Sequence, residues 1–394
     1  MDKIKLSFIV IMISALGGFL AAQDFSGSIE ARLGWYWGSK ELAPLAQVFS
    51  GAVAGKVGEA DQPAAQYEAG LEVSYDPATA LSTPELGEAW VKFFAGPFDI
   101  SVGNQVVAWG GSDVFVPSDA VNPVDLSLPV DPAKMPVPMG RLVYNGDFLT
   151  LDLVAQPYWI SPRLPGAPWA QPLQISTEFA AVDPSWDNVS YGGHLKASLG
   201  LLQGLDIGLT AYRGRDYRPT ATVILDASYN PVSITLSYDR LTLLAADLVF
   251  APGGGLLLKT EWGYRTLRDS SLLEPEAGAA KVQGVSGFEY RLGGVQLIGE
   301  HVLDWAKGGA AGGDSVKQSL VGIASLDLGS RTNLKVAAIY DLDGDGMVGP
   351  QASYTLADGL KLEGSAFLFF GASDTTYGAW KDNSLGRFSL KYSF

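Results

Sequence analysis

The feature that most constrains this chain is a two-residue period that persists over stretches too long for an ordinary soluble sheet. From Phe25 to Trp37, the residues Phe25, Gly27, Ile29, Ala31, Leu33, Trp35 and Trp37 alternate with Ser26, Ser28, Glu30, Arg32, Gly34 and Tyr36. Successive side chains of a strand point to opposite faces, so the segment has one apolar and one polar face. The pattern returns over residues 65–75, 189–199, 256–266 and at the C-terminal end. Such segments run about 10 to 13 residues, against the ~5–6 of soluble strands and the ~9–11 that cross a bilayer.

Charge decides which face looks where. The polar faces carry Glu30, Arg32, Glu68, Glu72, Lys92, Asp152, Lys196, Asp206, Lys259, Glu261, Arg265, Glu289, Arg291, Glu300, Lys335, Lys361, Glu363, Arg387 and Lys391, while the apolar faces carry almost no charge, His301 excepted. A charge facing lipid at mid-depth costs roughly 2–4 kcal/mol. The arrangement therefore predicts a transmembrane, antiparallel, up-and-down β-barrel, apolar outside and charged around a lumen. Stacked soluble sandwiches with apolar faces inward are the competing fold.

Connections favour the barrel. Tight turns at Gly96-Pro97, Asn145-Gly146-Asp147, Gly253-Gly254-Gly255, Gly293-Gly294 and Asp358-Gly359 alternate with longer connections, among them 39–63, 110–138, 158–186, 214–237 and 342–347. Outer-membrane barrels alternate short periplasmic turns with long extracellular loops in this way. Trp35, Trp37, Trp109, Trp305 and Tyr340 beside the long connections, and Phe98, Phe148 and Phe250 beside the tight turns, are expected in two interfacial girdles. The strands legible directly are odd in number, whereas bacterial barrels have an even count, so about 16 to 18 are expected. A strand hidden within Leu45 to Val53 favours the higher figure.

Lys3 and Lys5 precede an apolar run from Leu6 to Leu20 that ends at Ala21-Ala22-Gln23. A basic start, an apolar centre and a small-residue end are the parts of a secretory signal, here 1–22, followed by the barrel, 23–394. The chain has no Cys and only two histidines, His194 and His301, which leaves no thiolate site and little for a His-based metal or relay site. His194 and Ser198 share one strand face too far apart to pair, and no catalytic constellation or cofactor site is expected. A formal charge of −15 disfavours nucleic acid as a partner.

Three loops carry candidate sites. The connection 110–138 holds six prolines, which make it stiff, and Asp113, Asp119, Asp125 and Asp131 against a single Lys134. Folded into the lumen, it would constrict the pore and attract cations; the alternative is a solvated surface loop. The connection 158–186 combines Trp159, Trp169 and Trp186 with prolines, and packing is expected over a sugar-stacking slide. Asp341, Asp343 and Asp345 before Gly346 copy the first half of a calcium loop, but the position that needs a bidentate Glu is Ala352. A hairpin loop is expected there, with weak calcium binding as a candidate.

Two motifs add a resemblance. Phe388, Leu390, Tyr392 and Phe394 resemble the C-terminal assembly signal of outer-membrane barrels. The block Val102-Gly103-Asn104-Gln105-Val106-Val107-Ala108-Trp109-Gly110, followed by Asn122-Pro123-Val124-Asp125, is similar to a family of predicted Gram-negative porins, with Asn104 where that family has Arg. The resemblance implies a porin of the bacterial outer membrane that passes small hydrophilic solutes or ions by passive diffusion. Its expected partners are outer-membrane lipid, the barrel assembly machinery and small solutes, with homo-oligomerisation left open. A substrate-selective facilitator for sugars, organic acids or apolar molecules, and a plugged barrel acting as adhesin or scaffold, are the alternatives.

Overall fold

A computed structural model describes residues 23–394 apart from 60–61, 77–80, 166–168, 170–175, 184, 201–203, 227, 269–278 and 309–312. Residues 1–22, where the secretory signal is expected, lie outside the described residues.

Eighteen strands form one sheet. They are β1 (Gln23–Tyr36), β2 (Glu41–Glu59), β3 (Gln62–Asp76), β4 (Leu81–Ala95), β5 (Phe98–Gln105), β6 (Val137–Asn145), β7 (Leu149–Gln156), β8 (Ser190–Leu199) and β9 (Leu205–Arg215). The second half comprises β10 (Arg240–Gly253), β11 (Leu256–Leu267), β12 (Ala280–Leu292), β13 (Val295–Ala306), β14 (Ser315–Leu328), β15 (Thr332–Asp341), β16 (Asp345–Ala357), β17 (Leu360–Phe370) and β18 (Leu385–Ser393). Each strand pairs antiparallel with its chain neighbours, and β1 pairs with β18, from Ser28 opposite Ser393 to Tyr36 opposite Leu385. The sheet is thereby a closed transmembrane barrel with no free edge, the arrangement that lets wall amides pair with one another without water.

Exposure fixes the sidedness. Ile29, Phe49, Leu209, Leu244, Leu297, Val336 and Leu390 are exposed on the outside, whereas Glu261 and Glu300 are 0% and 5% exposed. On the outer surface several rings lean over a glycine of the next strand: a Cβ on Gly284 would strike the Trp262 ring and one on Gly299 the Phe288 ring. The missing Cβ leaves room for the aromatic and shields the bare backbone.

The hidden strand is β2, and it contains Leu45 to Val53. Of the long connection expected over 39–63, Glu41–Glu59 is therefore wall. Gly51, Gly55 and Gly58 together with Ala52 and Ala54 fill both faces with small residues, so the alternation is erased. The connection expected at 342–347 is likewise shorter, because β16 already begins at Asp345. Within 214–237, Thr220–Leu225 and Pro231–Ser237 pair with each other, and the latter also pairs with Ser176–Phe179, making a separate three-stranded sheet beyond the wall. At the other extreme β5 stops at Gln105, short of the expected Trp109.

Candidate functional site

From Gln105 the chain leaves the wall and returns only at Val137. The intervening segment, 106–136, bonds to side chains of β7, β11, β13 and β18. A single segment reaches strands on opposite sides of a closed barrel only from within. Proline at 117, 123, 129, 132 and 136 fixes φ at those positions and limits its sheet to a two-residue pairing of Val124–Asp125 with Ala133–Lys134.

Wall carboxylates hold the segment by its backbone. Glu261 on β11 is fully buried and accepts the amides of Gly111 (3.0 Å), Ser112 (3.2 Å) and Ser118 (2.7 Å) and the Ser118 hydroxyl (2.7 Å). Glu300 on β13 accepts the amides of Asp113 (2.7 Å), Val114 (3.2 Å) and Phe115 (3.4 Å). Hydrogen bonds to a charged acceptor contribute about 1.5–3 kcal/mol each before the cost of desolvating the carboxylate. Several such bonds on one group are what make a buried glutamate tolerable. Gly110, at φ +98°, turns the chain just before this grip; a Cβ there would fall 2.7 Å from the Glu261 carboxylate.

The segment's own charges are paired. Asp113 meets Lys259 of β11 at 2.6 Å, and that lysine also bonds Glu289 at 3.0 Å. Asp119 pairs with Lys134, whose ammonium donates in addition to the Val107 carbonyl. Asp125 pairs with Arg163, which bridges to Glu85 of β4. Asp131 pairs with Arg387 of β18 at 2.9 Å. Burial raises the Asp119 pKa, opposed by Lys134. For Asp125 burial also pushes upward, but bonds from Ser127 and Arg163 outweigh it and leave the pKa lowered.

Apolar contacts complete the seat. Val107, Trp109, Ala120 and Val121 pack with Val137, Met139, Val154, Tyr212, Leu241 and Leu243; Phe115 packs on Val285, Val302 and Val321; Leu128 and Val130 join Tyr36, Phe367, Phe369 and Leu385. Trp109, expected in an outer girdle, is instead 3% exposed inside the barrel and donates its Nε1–H to Asp152 at 2.9 Å. The wall ends before it, so the alternation that would have aimed it at lipid no longer applies. Arg141 grips the same Asp152 through two bonds.

The remaining lumen-wall charges gather elsewhere. Lys361, Lys391 and Glu30 stand in one row across β17, β18 and β1, and Glu363, Ser389 and Arg32 in the next. Arg32 pairs with Glu30, Lys361 with Glu363, Lys196 with Asp206 and Arg291 with Glu289. A polar recess lies among Asn333, Gln351, Ser353, Lys361, Ser365 and Arg387. Lys335 stands opposite Gln351, Glu72 opposite Ser50 and Glu85, and Lys92 lies over the Trp90 ring. Glu68 is placed opposite Trp90, and Arg265 is buried beside Asp216 at 3.8 Å.

Of the other candidates, Trp159 stacks on Tyr217 and meets Tyr238, and Trp169 packs among Tyr36, Phe369 and Trp380, while Trp186 is 89% exposed. Asp341 accepts the Ser319 hydroxyl and the buried Asp345 accepts the Tyr377 amide. Among the described residues no group of three His, Cys, Asp or Glu side chains converges in a way that could hold a metal. Phe388, Leu390 and Tyr392 face outward, and Phe394 closes on Phe25 with ring centroids 5.7 Å apart. Sequence reasoning placed no weight on Arg163, Glu85 or Arg141, and gave Glu261 and Glu300 no role beyond lining the lumen. Their partners lie far away in the chain, 143 to 187 positions for the two glutamates, so no local signal marks them.

Solved structures agree with a closed β-barrel at the level of fold. Acinetobacter baumannii OccAB4 is 10% identical and superposes with a TM-score of 0.55 over 95% of this chain and 99% of its own. The trimer form of OmpT, an outer-membrane protein of Vibrio cholerae, is 10% identical with a TM-score of 0.51, over 95% and 99%. A variant of the Rh. blastica porin is 15% identical with a TM-score of 0.42, over 95% and 100%. The first two carry the fold comparison. No protein-family profile matches the sequence, and no curated protein matches it.

Proposed function

We propose that this chain is an outer-membrane channel through which small hydrophilic solutes or ions diffuse passively, with 106–136 as the constriction. The observation that carries the reading is the grip of Glu261 and Glu300 on that segment's amides, which fixes it inside the lumen. Asp113, Asp119, Asp125 and Asp131 are each paired with a cation, three of them with cations outside the segment, so its acidic charge is largely compensated where it narrows the passage. Selectivity then falls to the wall, and cation preference is mild. The reading includes export by a signal at 1–22, insertion by the assembly machinery through Phe388, Leu390, Tyr392 and Phe394, association with further copies, and no catalysis.

The decisive experiment is reconstitution of the purified chain in a planar bilayer. Discrete ohmic conductance supports the channel, and its absence moves the reading to a plugged scaffold. A selective facilitator is the second reading, favoured by the polar recess around Lys361 and Arg387. Saturable, solute-specific block of the current would select it.

A further inference from the structure

The outward face of the barrel breaks its apolar rule near mid-strand on β11–β13 and toward the start of β14. Thr260, Ser286 and His301 stand directly opposite one another on β11, β12 and β13, and Gln318 follows on β14. Trp262 donates its Nε1–H to Thr260 Oγ1 (3.2 Å), Thr260 shares a bond with Ser286 (2.9 Å), and His301 Nε2 meets Gln318 Oε1 at 3.0 Å. These residues alternate with Glu261, Val285, Glu300 and Val302, all buried toward the lumen, so they face away from it. Ser286 and His301 lie near the middles of their strands, at the depth of the lipid tails. Hydrocarbon offers no hydrogen-bond partner there, and polar side chains at such depth find theirs in protein.

The stripe matches itself. An imidazole nitrogen bonded to an amide oxygen is a donor, so neutral His301 keeps Nδ1 as an acceptor while Gln318 keeps amide hydrogens to give. Beside the stripe, Gly322 on β14 has open space in front of it. Small residues of this kind let two membrane surfaces approach closely.

We propose that a second copy of this chain docks here, stripe against stripe, about a two-fold axis along the membrane normal. Acyl chains offer no partner to the His301 Nδ1 or the remaining Gln318 amide hydrogens, the groups that the bonds within the stripe leave over. A ring of copies would need a second, different patch on the same wall; Arg213, Thr242 and Thr266, opposite one another on β9, β10 and β11, lie nearer their strand ends than Ser286 and His301 do. A patch that is its own complement gives a closed pair. The inference rests on the chain being a membrane barrel, as proposed above.

The chain's lack of cysteine makes the test clean. Leu303→Cys and Leu320→Cys flank the stripe without removing its polar groups, and Leu209→Cys on β9 is the control. In reconstituted vesicles under mild oxidation, covalent dimer from the flanking positions should exceed the control at least ~10-fold, which corresponds to about 1.4 kcal/mol of preference. Adding His301→Leu with Gln318→Leu should lower the yield by a similar factor, while heat-modifiable migration reports that the barrel remains folded. Equal yields at all three positions, or a yield unaffected by the leucine pair, overturns the interface and leaves the channel reading standing. Failure of the wild-type chain to enter vesicles sinks the channel reading first and the interface with it.

Discussion

Glu261 and Glu363 are both glutamates on inward positions of wall strands, yet their settings differ. Glu261 is fully buried and surrounded by donors from 111–118. Glu363 pairs with Lys361 on its own strand, and both side chains are more than two-fifths exposed. One carboxylate is part of the fold, a tether whose ligand is backbone. The other is part of the water-filled passage, where its charge is screened and its pairing contributes little stability. A charge facing the lumen therefore does not by itself mark a residue that acts on solutes.

Substitutions sharpen that contrast. The largest effect is expected for Glu261→Ala, which strands the amides of Gly111, Ser112 and Ser118; a loss of about 3–5 kcal/mol is the scale for breaking a buried charged contact. Planar-bilayer recordings should show higher conductance and a noisier open state. A quiet, unchanged current would mean the segment is seated by its apolar contacts alone. Next comes Glu300→Gln, whose amide oxygen still accepts; one charge-assisted bond weakened to neutral strength costs roughly 1–2 kcal/mol, readable as faster amide exchange at Asp113.

Asp131→Asn should leave stability nearly intact but free Arg387, moving the reversal potential under a salt gradient toward anion preference. No movement would remove Asp131 from the passage. Acidification separates Asp119 from Asp125. Asp119, with its raised pKa, takes up its proton first, and its ionised form favours the folded segment less as pH rises through that value. Asp125, with its lowered pKa, contributes stability that persists above the ordinary aspartate range and is lost as pH falls through the folded value. Carboxyl-resolved NMR on the reconstituted protein checks the order, and simultaneous titration would contradict it. The smallest effect is Glu363→Gln, a thermal-stability change within about 0.5 kcal/mol because the pair is solvent-screened.

How much of this was written in the sequence follows the same division. Strands such as β1, β11 and β18 were legible because lipid on one side and water on the other enforce a two-residue period. β2 was half-hidden because Gly and Ala at alternating and intervening positions carry no preference for either side. The infolded segment could be suspected from its prolines and aspartates. What it binds could not, since Asp131 and Arg387 are 256 positions apart and only barrel closure brings them together. Trp109 misled for the opposite reason, as local alternation continued in the letters after the wall had ended.

Because the tethers on Glu261 and Glu300 are main-chain N–H groups, the side chains of Ser112 and Val114 are spared the work of holding the segment in place, whereas Asp113 and Phe115 add a salt bridge and an apolar contact of their own. Nearly any residue except proline supplies the same handle. Diversity can therefore accumulate at Ser112 and Val114, changing what the passage admits, while the mooring stays put.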